Sequence, residues 1–403
     1  MRILGFGIAA ALAAAGAVRA QEPPRYVGEP RMRPLEAEPP PKPAPALKVD
    51  LGGGLEVVYD DNVFKLDPRK KDLVDAVGGR IARDVNNRFS RMESADDFIV
   101  HSYGRADLSW RGVGGKKAKF RFEPGAYLYT QNELCSYSEL KAKFAHETWK
   151  GGEAYLQTGY IPRRFQRNYF AGGVDANANG NISSGERVYK HAVYDEFALQ
   201  AGVSSVIASP FSGELYGMGS VTDFAEPFDN RDLRTFGGGL VLTADVTDWF
   251  HVGFVAEIET VAADGDREAV LIDEDVFGEQ DGVAGLDSHA LVATPVDRSH
   301  LSTSVGPTVT IRPAPWLTLG SFFAWKRKSF SSTERLDVTY KDRQDDRYSA
   351  GVETKVDIAP NTKMWIEYRW TRQVTDRPLD PDNVNNDLDY RRNEITLGFE
   401  VYF

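Results

Sequence analysis

One segment of the chain has oxygen-bearing side chains at the spacing of a calcium-binding loop. Its ligands would be Asp175, Asn177, Asn179, Asn181, Ser183 and Glu186. Gly180 falls where such a loop makes its sharp turn. Only Asp175 and Glu186 carry charge, so we expect weak Ca²⁺ binding, with a Kd on the order of 10⁻⁴–10⁻³ M. The alternative is an Asn- and Gly-rich turn whose spacing arises by chance.

A second group of side chains has the chemistry of a pore wall. Its members, all at odd-numbered positions, are Arg105, Arg111, Lys117, Lys119, Arg121, Lys141, Lys143, Tyr127 and Tyr129. Acidic residues such as Asp107 and Glu139 share the same face. Lumen charges of one sign attract a permeant of the opposite sign, and tyrosine rings offer flat faces to sugars. The alternative is a ladder of cross-strand ion pairs that plugs the interior.

The sequence predicts no catalytic site and therefore no enzyme. None of the six histidines shows a paired metal-ligand spacing. His101 and Asp107 share a face, but six residues along a strand separate them by about 20 Å, too far to couple. The single cysteine, Cys135, excludes a disulfide scaffold or a cysteine-rich zinc module. The net charge of -11 argues against a nucleic-acid partner.

Strands must position these residues, because polarity alternates with a period of two. Between Asp97 and Arg111, apolar and small residues alternate with charged and polar ones, and the pattern recurs to Phe403. The runs last about 10 to 14 residues, and a tilted membrane strand needs about 9 to 11. Apolar-out, polar-in alternation of that length indicates a transmembrane barrel. The alternative, a soluble two-sheet sandwich, would place its aromatic residues in mid-strand.

Tryptophans instead fall near the predicted strand ends, where amphipathic aromatics meet the two membrane interfaces. Those at the predicted periplasmic ends are Trp110, Trp149, Trp249, Trp316 and Trp365, and those at the outer ends are Trp325 and Trp370.

The connections between strands alternate between short and long. Short turns are predicted at Gly112–Gly115, Lys150–Gly152, Ala208–Ser212, Thr247–Trp249, Pro313–Pro315 and Pro360–Thr362. Long loops are predicted at roughly 60–96, 132–137, 164–191, 223–233, 262–299, 329–346 and 375–389. Outer-membrane barrels have short periplasmic turns and long outer loops. The fold class is therefore all-β: a single antiparallel up-and-down barrel of about 14 strands, or 16 to 18 if a long loop holds another hairpin.

Three segments follow from composition. Residues 1–20 have the positive start, apolar run and small residues of a signal peptide, with cleavage expected after Ala20. Residues 21–47 are Pro-rich and charged, which predicts an extended periplasmic tail. Residues 48–403 form the predicted barrel.

The two ends of the predicted barrel carry family resemblances. The last strand alternates Ile395, Leu397, Phe399, Val401 and Phe403, and resembles the signal read by the barrel-assembly machinery. The first strand runs from glycines into Tyr59-Asp60-Asp61-Asn62-Val63-Phe64. This opening resembles the barrel porins of exopolysaccharide gene clusters, which run from a Gly-rich strand into Tyr-Asp-x-Asn-Val/Leu-Phe. The resemblance implies an outer-membrane channel for polysaccharide export and carries over no catalytic residue.

Three functions stay open at this point. The first is a channel that exports a secreted polysaccharide with periplasmic export proteins as partners. The second is a diffusion porin for small anionic or neutral solutes. The third is a non-conducting surface barrel whose loops serve adhesion or envelope structure. All three predict a bacterial outer-membrane location, with membrane lipid, lipopolysaccharide and the barrel-assembly machinery as partners.

Overall fold

The computed structural model describes residues 47–66, 68, 71, 93–149, 151–173, 187–226, 228, 231–263, 268–271, 291–294, 297–332, 340–376 and 389–403. The predicted signal peptide, all but the last residue of the predicted tail, and the whole predicted calcium loop lie outside these ranges. In the described part of the chain, no helix has the length and apolar character needed to cross a membrane.

Fourteen strands form one closed antiparallel barrel, as the alternation predicts. They are β1 (Leu47–Asp60), β2 (Asp97–Arg111), β3 (Lys117–Tyr129), β4 (Tyr137–Trp149), β5 (Gly152–Gly173), β6 (Arg187–Ala208), β7 (Phe211–Phe224), β8 (Leu233–Thr247), β9 (Phe250–Ala263), β12 (His300–Ala314), β13 (Leu317–Phe330), β14 (Gln344–Ala359), β15 (Thr362–Asp376) and β16 (Tyr390–Tyr402). Each pairs with the barrel strand before and after it, and β1 pairs with β16 to close the ring.

A hairpin does lie in the long connection between β9 and β12, but it does not enlarge the barrel. Its strands, β10 (Glu268–Leu271) and β11 (Leu291–Thr294), pair only with each other in a separate two-stranded sheet. β9 therefore pairs directly with β12. The wider alternatives of 16 to 18 strands are wrong for this reason.

The predicted alternation of short and long connections is confirmed, with one difference. All six predicted short turns separate consecutive strands. The predicted loop 164–191 is partly strand, because β5 runs on to Gly173 and β6 starts at Arg187. Register shifts follow Ile161, Phe165 and Phe170 in this pair. Each bulge changes which face the next side chain occupies, so the period of two is lost where the strand continues.

The polarity of the barrel is the reverse of that of a water-soluble protein. Outward side chains such as Leu215, Ile366 and Leu397 are apolar and exposed. Inward side chains such as Glu56 and Asp60 are acidic and almost fully buried. Soluble proteins rarely expose a contiguous apolar surface of this extent. The apolar belt is therefore on the outside and the polar groups line the lumen.

Aromatic residues mark the short-turn end of the barrel, with one exception. Trp149, Trp249 and Trp316 lie exposed at this end. Trp365 was predicted to join them at the interface, but it is buried. Its odd-numbered position on β15 shares the inward face with Glu367, so the ring lies inside the barrel over Gly398 of β16.

Trp365 belongs to a set of inward rings that lie over a glycine of the neighbouring strand. The pairs are Tyr103 over Gly54, Tyr155 over Gly202, Tyr216 over Gly239, Phe322 over Gly351 and Trp365 over Gly398. A Cβ at Gly398 would lie 2.0 Å from the Trp365 ring. Glycine is required at these positions because the ring occupies the space of a side chain.

Candidate functional site

The predicted pore-wall residues do share the lumen face. The register opposes Asp107 of β2 to Arg121 of β3, and Arg121 to Lys143 of β4. Because alternate residues of a strand share a face, this places the whole set inward: Arg105, Arg111, Lys117, Lys119, Arg121, Lys141, Lys143, Tyr127 and Tyr129. Arg111 and Lys117 flank the short turn and are exposed there.

Near the short-turn end, the basic residues are balanced by carboxylates. Arg105 Nε lies 2.7 Å from Asp107 Oδ2, and Arg121 Nε lies 2.7 Å from Asp107 Oδ1. Arg105 Nη1 also lies 3.3 Å from Glu400 Oε1 of the last strand. One carboxylate thus holds two guanidiniums, and a third strand shares the charge. In this part of the wall the charged side chains pair with one another, as the alternative interpretation of a cross-strand ion-pair ladder predicts.

A column of stacked rings crosses β2, β3 and β4 in the long-loop half of the lumen. The His101 ring lies 5.2 Å from Tyr103 and 3.9 Å from Tyr127, between ring centroids. Tyr137 stacks on Tyr127 at 4.6 Å, and the Arg164 guanidinium lies 4.4 Å above the Tyr137 ring. Both faces of Tyr127 are therefore covered by protein, and the prediction that its ring lies open to a sugar is wrong.

The stacked histidine is held between two buried carboxylates. His101 Nδ1 lies 2.8 Å from Glu56 Oε2, and His101 Nε2 lies 3.8 Å from Glu139 Oε1. The Glu139 carboxylate also accepts hydrogen bonds from Lys141 Nζ at 2.5 Å and from the Tyr127 hydroxyl at 3.2 Å. This cluster links β1, β2, β3 and β4. It fixes the ring column in place.

A second set of buried ion pairs, which the sequence does not predict, lies on the part of the wall that runs from β9 through β16 to β1. They are Lys326–Glu259 at 2.7 Å, Arg343–Asp345 at 2.6 Å, Arg369–Glu367 at 2.8 Å, Arg392–Asp60 at 2.5 Å and Arg392–Glu394 at 2.9 Å. The alternation of polar and apolar residues in the sequence places these side chains inward, but it does not say which residue each of them pairs with. Each guanidinium or ammonium here already has its carboxylate.

The two walls meet around a cavity of about 80 Å³ near the long-loop end. Its charged lining residues are Lys65, Arg164, Arg369, Arg392, Glu367 and Glu394, and its tyrosines are Tyr127, Tyr129 and Tyr137. Cationic side chains outnumber anionic ones. Tyrosine hydroxyls add hydrogen-bond donors. A cavity of this composition favours an anionic or hydroxyl-rich guest.

Arg164 differs from the other arginines of the cavity. Arg369 and Arg392 each have a carboxylate within 3 Å, whereas no ion pair to Arg164 is found in the described part of the chain. Its residue follows the register shift after Ile161, which explains why period-two reasoning could not assign it to the lumen. The buried Glu196 carboxylate on the neighbouring strand β6 acts on the charge of Arg164 without a direct ion-pair contact. A buried guanidinium whose counter-charge makes no direct contact still attracts an anion.

The other predicted residues fall outside this cavity. Ile395, Leu397, Phe399 and Phe403 are exposed on the outward, apolar face of β16, and Val401 follows the same alternation. The predicted calcium ligands, Asp175 to Glu186, lie outside the described residues. Among the described residues, no group of three or more histidine, cysteine or acidic side chains could hold a metal ion.

Cys135 lies in a short helical turn between β3 and β4, Glu133–Cys135, and is buried. Burial, which would strip the thiolate of its hydration, and the nearby Asp97 carboxylate together raise the pKa of the Cys135 thiol to about 12.

Comparison with known proteins yields shape alone. No protein-family model and no curated sequence matches the chain. A loop-deletion mutant of OmpT from Vibrio cholerae is 9% identical, covering 89% of this chain and 100% of that one, at a TM-score of 0.41. An anion-selective porin from Comamonas acidovorans is 9% identical, and the match covers 89% of this chain and 99% of the porin at a TM-score of 0.39. A bacterial polysaccharide outer-membrane secretin is 8% identical, and the match covers 87% of this chain and 97% of the secretin at a TM-score of 0.37. Likenesses at these TM-scores carry no functional argument.

Proposed function

We propose that the chain is a bacterial outer-membrane channel that exports an acidic polysaccharide. The apolar belt supports the location, because side chains such as Leu215 and Ile366 need lipid to cover them. The proposal includes lipopolysaccharide and membrane lipid around the belt, the barrel-assembly machinery for insertion, and periplasmic export proteins at the short-turn end.

The width of the barrel supports conduction rather than a solid plug. A barrel of about eight strands encloses an interior that side chains fill, and about 16 strands leave an aqueous channel. Fourteen strands stand nearer the second case. Ion pairs such as Arg121–Asp107 join adjacent strands of the wall. They narrow the lumen without having to cross it.

The observation that carries the charge preference is Arg164 in its tyrosine-lined cavity. Its guanidinium stacks on Tyr137 and makes no direct ion pair in the described part of the chain, although the buried Glu196 carboxylate acts on its charge from β6. A uronate or another acidic sugar supplies both features that this cavity accepts, a carboxylate for the guanidinium and hydroxyls for the tyrosines. A neutral sugar satisfies only the second.

A planar-bilayer measurement tests this function. We expect the wild type to conduct and to prefer anions, and Arg164→Gln to lower that preference and to weaken block by an acidic oligosaccharide. Lys48→Gln is the matched control, because Lys48 is exposed, pairs with Asp50 at 2.7 Å and lies at the short-turn mouth. Equal anion preference in the wild type and Arg164→Gln would contradict the role of Arg164.

Deletion of the gene separates export from diffusion. The export function predicts that surface polysaccharide is lost and accumulates in the periplasm. Steady conductance with unchanged secretion would favour a diffusion porin for small anionic solutes, which the same cavity chemistry supports. A closed lumen in every recording, together with lost surface attachment, would favour the non-conducting barrel.

A further inference from the structure

The outward surface carries an unusual charge pair above its aromatic band. Arg372 of β15 and Arg391 of β16 are direct cross-strand partners, and both are exposed. They share the outward face with the exposed Tyr368 and Ile395. Directly opposed side chains have Cβ atoms about 5 Å apart, and like charges at that distance repel. The repulsion needs a compensating group.

Protein does not supply that group in the described part of the chain. No ion pair to the guanidinium of Arg372 or Arg391 is found there. The neighbouring outward carboxylate, Asp61, is engaged by Asn393, whose backbone N and Nδ2 each donate to it at 2.6 Å. Among the described residues, no carboxylate therefore neutralises the pair, and both guanidiniums are exposed to an anion.

A nearby outward arginine is neutralised by a carboxylate of the protein itself. Arg327 of β13 faces Asp346 of β14, and its Nη2 lies 2.8 Å from Asp346 Oδ2. Trp325 Nε1 donates to the same carboxylate at 3.0 Å. Where the surface places an arginine beside an acid, the charge is satisfied within the protein. At Arg372 and Arg391 the strand partner is another arginine instead.

The position along the strands identifies the anion. From the short-turn end, the outward face of β15 runs through Met364, Ile366, Tyr368 and Trp370 to Arg372. Apolar residues match the hydrocarbon, and aromatic residues match the interface. The arginines come next, at the long-loop end, where lipid headgroups lie. The cross-strand row Trp325, Tyr348, Arg372 and Arg391 continues this order around four strands.

We propose that Arg372 and Arg391 form a binding site for a phosphate of lipid A in the outer leaflet. Two guanidiniums offer paired N–H groups to the phosphate oxygens, which suits arginine better than lysine. The phosphate cancels the mutual repulsion of the pair, and Tyr348, the cross-strand partner of Arg372 on β14, lies beside it. This site rests on the proposed outer-membrane location, but it does not require the lumen to conduct.

Lipid retention tests the site directly. The protein is reconstituted in phosphatidylcholine vesicles with bisphosphorylated lipid A, extracted with detergent, and the retained lipid A is measured by mass spectrometry. We expect the doubly substituted R372Q/R391Q protein to retain about tenfold less than the wild type. Arg234→Gln is the control, because Arg234 is an exposed outward residue of β8 that faces Val221 and Ala262 across the strands.

Two further comparisons keep the proposal open to failure. The wild type should not retain dephosphorylated lipid A, and R372K/R391K should retain an intermediate amount because it keeps charge but loses paired donors. If R372Q/R391Q does not fold, the single variants decide, each with a several-fold loss. Equal retention by wild type and the folded variants, or equal retention of both lipids, would overturn the site. Channel conductance is measured in a separate experiment, so a failure of the proposed channel function is distinguished from a failure of this lipid site.

Discussion

Arg392 of the last strand holds the carboxylate of Asp60 in the first strand. Its Nε and Nη2 lie 2.9 Å and 2.5 Å from Asp60 Oδ2. Asp60 is fully buried, and Glu394 shares the guanidinium at 2.9 Å. The two residues are 332 positions apart in sequence. The ion pair therefore lies at the seam where the barrel closes.

We expect Arg392→Gln to destabilise the barrel by about 3 kcal/mol, because removing one partner leaves a buried carboxylate without its counter-charge. The denaturant midpoint in detergent micelles measures the loss. Lys48→Gln removes an exposed pair of the same strand and should change the midpoint by about 0.5 kcal/mol at most. Similar midpoints for both variants would show that the seam does not depend on this pair.

The rings that lie over glycines make a second prediction. Gly398→Ala should destabilise the barrel by about 1 to 3 kcal/mol, because the new methyl group would overlap the Trp365 ring. Gly104→Ala is the matched control, since the nearest atom to its Cβ, Pro124 Cγ, is 3.8 Å away. Chemical denaturation of both variants provides the measurement. A loss at Gly104 as large as that at Gly398 would contradict the explanation.

The buried thiol makes a prediction about pH. Burial raises the pKa of Cys135 from 9.0 to about 12, so at neutral pH the folded protein should react with iodoacetamide far more slowly than the unfolded chain. The unfolded thiol ionises first as the pH rises. The contribution of Cys135 to stability is therefore present below about 9 and is lost between about 9 and 12.

Cys135→Ala removes this dependence and provides the comparison. Its denaturant midpoint should fall less than that of the wild type as the pH rises through this interval. Parallel curves for the two proteins, or rapid alkylation of the folded wild type, would show that the thiol is not protected.

The calcium loop stays a prediction from the sequence. We expect millimolar Ca²⁺ to raise the melting temperature of the wild type and to have little effect on D175A/E186A, because these are the two charged ligands. Mg²⁺ at equal concentration controls for general salt effects. Identical calcium responses of both proteins would remove the site.

The strands and turns of this barrel could be predicted because each depends on neighbouring residues. Alternation from Asp97 to Arg111 specifies two faces, and short turns such as Pro360–Thr362 break the pattern where the chain reverses. The direction of Arg105 and Arg121 follows from the same alternation. The lumen side of β2, β3 and β4 was therefore readable without a structure.

The partners across strands could not be predicted. Glu56 meets His101 only because β1 pairs with β2 in one register, and a shift of one residue would turn both side chains away. Sequence reasoning compared His101 with Asp107 on its own strand, where no contact is made. Arg164 was missed because a bulge changes its face, and bulges leave little local signal.

The inward rings have a consequence for the shape of the barrel. Each spans from its own strand onto the glycine of the next, and Tyr155 reaches a third strand through its hydroxyl, which donates to Glu214 at 2.6 Å. Neighbouring strands that are linked by these rings resist sliding past one another and moving apart. The rings therefore oppose any change in the diameter of the barrel.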